Sequence, residues 1–147
     1  MSLLSNTKLI RTTANIATFL FVVVIVLQIL LAAGILPISM AWGGRQSQLT
    51  ASLRIASIFA AVLLGAFIYI IRYRAGLVGN GRIPVLIKII SWIITAFMAL
   101  NTLGNITSLS SNEKLLFGPV TFVLTLACLL VSVSNPFIGI PLHISKK

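Results

Sequence analysis

The sequence predicts an all-α integral membrane protein: four transmembrane helices in an up-down bundle, with the N- and C-termini cytoplasmic. Three observations carry that reading. The first is composition: 59% of the 147 residues are hydrophobic and 8% are charged, whereas a soluble domain carries about 25% charged residues because it needs a polar skin. With a mean hydropathy of +1.13, most of the outer surface must be apolar, and lipid is the solvent that allows it. The second is the grouping of apolar residues into four runs, each about long enough to cross the hydrocarbon core at about 1.5 Å per residue. The third is the uneven placement of Lys and Arg around those runs. The length suits one domain, residues 1–147, without a second independent core.

The first span is expected at about 16–36, apolar apart from Thr18 and Gln28. Lys8 and Arg11 precede it as in a signal peptide, and Ser39-Met40-Ala41 loosely resembles a cleavage site. The run nevertheless exceeds the roughly 7–15 residues of a signal core, so it is read as a retained span ended by Pro37. Ser39 to Thr50 forms a polar, Gly-containing connection. The second span covers about 52–71 and closes on Arg72-Tyr73-Arg74, where aromatic and basic residues suit an interface. Gly76, Gly79, Asn80 and Gly81 mark a turn. The third span covers about 83–103, with Pro84 tolerated in its first turn. A short Ser/Thr/Asn loop leads to the fourth span, about 115–133, which Asn135-Pro136 terminates.

Orientation follows from the basic residues. With the N-terminus inside, Lys8, Arg11, Arg72, Arg74, Arg82, Lys146 and Lys147 lie on the inner side, against Arg45, Arg54 and Lys114 outside. Lys88 lies within the third span, near its inner end, and can snorkel to the headgroups.

In lipid, burying apolar surface gives helices no reason to associate, so small and weakly polar residues mark the contacts. The third span places Lys88, Ser91, Thr95, Met98, Thr102 and Asn105 at steps of three and four, and the fourth does the same with Gly118, Thr121, Thr125, Cys128 and Ser132. Two such seams on adjacent antiparallel helices predict a left-handed hairpin crossing at about +20°. Leu in place of Thr121 or Gly118 is expected to disrupt it. Ser57, Ala61 and Gly65 form a small-residue strip at steps of four on the second span.

Several chemistries are excluded by what is missing. Glu113 is the only acidic residue, so paired-carboxylate hydrolysis lacks its partner, and carboxylate-rich calcium or magnesium sites are not expected. Cys128 stands alone, without a disulfide or redox partner, and His143 has no companion ligands. The net charge of +10 invites a nucleic-acid reading, but the charges flank apolar spans and do not cluster with aromatics on a soluble module. No metal, cofactor or nucleic-acid partner is expected; the bilayer is.

One constellation remains. Topology places Trp42 and Arg45 of the first connection, Arg54, Asn101, Asn105 and Glu113 at the outer ends of the spans. Asn101 and Asn105, four apart, share a helical face. The set offers guanidinium and amide donors, one carboxylate, and a Gly43-Gly44 turn that a ligand could approach closely. Read functionally, it is a shallow outward-facing pocket for an anionic or polar headgroup, with Arg45 or Arg54 as anion donor. Read structurally, Glu113 pairs with Arg54 or Arg45, the asparagines cap helix ends, and Trp42 sits in the interfacial belt.

Ala41-Trp42-Gly43-Gly44, Arg54-Ile55-Ala56-Ser57 and Leu100-Asn101-Thr102-Leu103-Gly104-Asn105 resemble stretches of a group of small uncharacterised four-span bacterial membrane proteins. The resemblance covers most of the chain and implies a bacterial inner-membrane protein, but no activity. The chain does not resemble a small multidrug-resistance exporter, whose first helix carries a glutamate. It also lacks the paired cysteines of a quinone-reducing thiol enzyme. The leading expectation is a non-enzymatic accessory subunit or homo-oligomer. The alternative is outward-facing binding or transport of a lipid-like or anionic small molecule, and an enzyme built on Glu113 with one arginine is the weakest.

Overall fold

The structure, a computed structural model, describes residues 6–79 and 82–134. It contains four long helices: α1 (Thr7–Ala33), α2 (Ala51–Arg74), α3 (Val85–Thr107) and α4 (Gly118–Val133). A single π turn, Glu113–Phe117, leads into α4. Each helix, with that turn included in the last, is long and apolar enough to cross a membrane. Asn80, Gly81, the Asn135-Pro136 terminator, His143 and the two final lysines lie outside the described residues.

α1 starts well before the expected apolar run because Asn6 caps it: its side chain accepts from Leu9 N at 3.2 Å. The polar first turns still present Ile10, Ala14, Ala17 and Phe21, at steps of three and four, to the core. The helix stops at Gly34, not at Pro37. Gly34 adopts the left-handed conformation (φ 77°), and Ile35 N turns back to Leu30 O at 3.0 Å. Thr50 caps α2 by accepting from Leu53 N. Pro84 lies just outside α3 as its cap residue.

α1 packs along α2 and α3 along α4, and the two hairpins close through α1 on α4 and α2 on α3. Phe21, Phe67 and Phe97 stack edge to face from the core out to the bundle surface, with ring centroids 6.2 Å and 5.4 Å apart. Large side chains such as Phe19, Ile55, Phe59, Val62 and Phe122 point outward, as lipid permits.

The α3–α4 seam forms as expected from its spacing. Ser91, Thr95, Met98, Thr102 and Asn105 are buried, and so are Gly118, Thr121, Cys128 and Ser132, whereas Lys88 is exposed. Three hydrogen bonds cross it: Thr95 to Ser132 at 3.1 Å, Thr102 to Thr125 at 3.0 Å, and Asn105 Nδ2 donating to Thr121 Oγ1 at 3.1 Å. A single Cβ on Gly118 would meet Ile106 Cγ1 at an ordinary 3.8 Å, so alanine fits at this buried position. The small strip of α2 divides. Ser57 is buried, but Gly65 faces outward with no atom near its missing Cβ.

At the end of the bundle that holds the N-terminus, arginines tie elements together. Arg11 donates to Gly76 O, Arg72 to Asn15 Oδ1, and buried Arg74 to the carbonyls of Ser132 and Ser134. A cation there satisfies carbonyls that the end of α4 leaves open.

Candidate binding cavity

At the opposite end, the far end, the α1–α2 connection folds back over the bundle. Ile38 and Ala41 bury against Leu31, so this segment is a packed strap and not an open polar loop. It then turns sharply. Trp42, Gly43 and Gly44 are successive left-handed residues, with φ of 58°, 82° and 69°. Glycine accepts that conformation without penalty, but for Trp42 it costs about 1–2 kcal/mol and must be held by its surroundings. The indole supplies one hold, donating from Nε1 to Ser57 Oγ at 3.2 Å.

The strap docks on the α3–α4 connection. Leu109 N donates to Gly43 O at 3.3 Å, and Gly43 N donates to Glu113 Oε2 at 3.0 Å. How Glu113 comes to face the strap is local chemistry. Ser110-Ser111-Asn112-Glu113 has the spacing of a capping box, in which the acid would reach back to Ser110 N–H. Only half of the box forms. Glu113 N donates to Ser110 Oγ, but Ser110 N donates to Ser108 Oγ instead. The carboxylate is released to accept from Ser108 Oγ and Gly43 N, both on Oε2.

The π turn assists. Pro119 has no N–H for Leu115 O, and its ring would crowd that carbonyl. A wider turn, closed by Gly118 N to Glu113 O, precedes the proline.

Beneath the strap lies a cavity of about 380 Å³ between the helices. Trp42, Asn101, Asn105 and Glu113, four of the six residues singled out in the sequence, line it together. Arg54 does not: its Nη1 donates to Ala32 O at 2.9 Å, satisfying an open carbonyl at the end of α1. Arg45 borders a neighbouring groove with Gly104, Thr107 and Leu109, which Trp42 separates from the main cavity. Neither arginine is a hydrogen-bond partner of Glu113 among the described residues. Asn105 serves the α3–α4 seam, and does not cap a helix end.

No family model, curated protein or solved structure matches this chain. The reading of the cavity therefore rests on its own residues. Sequence reasoning missed Gln28, Phe97, Phe117 and Thr121 as wall residues. Gln28 had a visible signal, as the one amide in an otherwise apolar first span. Phe97 and Phe117 had none, because aromatic residues are ordinary in a membrane helix. The cavity reaches the bundle surface beside α3, where Phe97 and Leu100 are 42% and 68% exposed. Its wall carries one carboxylate and, among the described residues, no Lys or Arg. The described residues also contain no cluster of His, Cys, Asp and Glu suited to a metal ion.

Proposed function

We propose that this protein is a membrane-embedded, non-catalytic binding protein that holds a small amphipathic molecule in the far-end cavity. The observation that carries this reading is the convergence of all four helices and the strap on one amphipathic cavity, its polar groups coming chiefly from α1, the strap, α3 and the turn into α4. Their polar contributions, Gln28, Trp42, Asn101, Asn105 and Glu113, lie among apolar and aromatic side chains. A volume of about 380 Å³ falls in the range of small-molecule sites, which are mostly apolar with a few placed polar groups. An accessory or self-associating role keeps one support, the outward-facing Gly65 on α2.

Filling the cavity tests the binding reading. Ala60 lines it from α2, so Ala60→Phe should expel the occupant while leaving the bundle folded. Wild type purified in mild detergent should carry a stoichiometric small molecule, detectable by mass spectrometry, that the variant lacks. Identical extracts from two folded proteins would overturn the reading.

The basic-residue asymmetry supports cytoplasmic termini with the cavity end outside, and the resemblance to bacterial inner-membrane proteins is what favours a plasma membrane. Ser47 is exposed in the strap connection. In a Cys128→Ala background, Ser47→Cys should react with a membrane-impermeant maleimide in intact cells. Labelling only after lysis would reverse the orientation.

A further inference from the structure

We propose that the occupant of this cavity is an organic ammonium, a protonated amine or quaternary ammonium group, held by Glu113 against an aromatic wall. The inference rests on the binding reading above and names the chemistry of its ligand.

Charge comes first. Glu113 is only 7% exposed, and its partners, a serine hydroxyl and a backbone N–H, are neutral. A buried carboxylate without a counter-charge is costly. The chain carries ten net positive charges, yet no described Lys or Arg borders this wall. Both hydrogen bonds end on Oε2, which leaves Oε1 available to a ligand.

The remaining wall points the same way. Trp42, Phe97 and Phe117 line the cavity with Glu113, and aromatic faces attract ammonium groups, most strongly once water is excluded. Gln28 adds a buried amide oxygen with no hydrogen-bond partner, an acceptor that an N–H or O–H of the ligand would satisfy. A single carboxylate without further anionic ligands suits an organic cation better than a metal ion, which gathers several oxygen ligands. The exposed edge at Phe97 and Leu100 gives an attached alkyl chain a route into lipid.

The ammonium could come from a lipid headgroup or from a free amine, and the test separates them. Trp42 in a Trp92→Phe background reports occupancy by fluorescence, in uncharged maltoside micelles. Titration with tetradecyltrimethylammonium should give saturable quenching, weakened about 10-fold or more by Glu113→Gln, which keeps an acceptor for Gly43 N. Phe97→Leu, which leaves the strap contacts intact, should weaken binding about 3-fold. Competition by phosphatidylethanolamine assigns the site to a lipid headgroup, and competition by tetramethylammonium assigns it to a free organic ammonium ion.

If tetradecanol or tetradecyl sulfate quenches as well as the cation, and Glu113→Gln changes nothing, the ammonium inference fails while the binding reading stands. If no probe binds and the Ala60→Phe comparison also finds no occupant, both fail.

Discussion

Thr95→Leu is expected to destabilise the bundle by about 1–3 kcal/mol, lowering the melting temperature in detergent by roughly 3–10 °C. Thr95 and Ser132 are 6% and 3% exposed and meet across the α3–α4 seam at 3.1 Å. A leucine there must displace a neighbour packed at hydrogen-bond distance, so the helices must separate or their backbones shift. Thr95→Val supplies the control. It removes the hydroxyl at almost constant volume, and Ser132 can turn to a carbonyl of its own helix, so the loss should be about 0.6 kcal/mol. Equal melting temperatures for wild type and both variants would mean that the seam does not hold the hairpin. This site is a cleaner test than Thr121, which borders the cavity and could let a leucine expand into it.

The seam was legible because its cause is local: small and weakly polar residues at steps of three and four mark one face whatever surrounds it. The helix ends were less so. Gly34 stops α1 three residues before Pro37, and a glycine just after an apolar run is a recognisable left-handed cap. The candidate site was half legible. Topology alone brought Trp42, Asn101, Asn105 and Glu113 to one end of the bundle, and the structure seats them in one cavity.

One structural reading of the sequence pairs Arg54 or Arg45 with the only acid available, but the alternatives include main-chain carbonyls, which a sequence does not display. Arg54 takes Ala32 O, an acceptor that exists because α1 ends where it does. Glu113 in turn takes a backbone N–H of the strap and Ser108. The π turn at Glu113–Phe117 changes the angular step along the helix, so regular helical spacing cannot assign Phe117 to the cavity wall.

The strap offers the second large effect, and adjacent glycines separate its two sources. Gly43 and Gly44 both need positive φ, at 82° and 69°. A Cβ on Gly43 would meet nothing within 4 Å, so Gly43→Ala should cost only the backbone penalty of about 1–2 kcal/mol. A Cβ on Gly44 would stand 2.6 Å from Ser110 N and 2.7 Å from Ser110 Cβ. Ser110 is not a flexible tip that can swing aside, because its N–H binds Ser108 Oγ and its hydroxyl accepts from Glu113 N. Gly44→Ala must therefore lift the strap, pulling Gly43 N from Glu113 and Trp42 from its place over the cavity.

The expected result is a loss of about 3 kcal/mol or more, the clash adding to the backbone penalty. In the Trp92→Phe background, Trp42 emission should shift to longer wavelength and become open to acrylamide quenching. Gly43→Ala should leave Trp42 emission and quenching as in wild type. Equal destabilisation by the two alanines, with Trp42 emission unchanged from wild type in both, would show that contact with Ser110 does not seat the strap. A larger effect at Gly44 with Trp42 exposed would tie closure of the cavity to this one close approach between two connections.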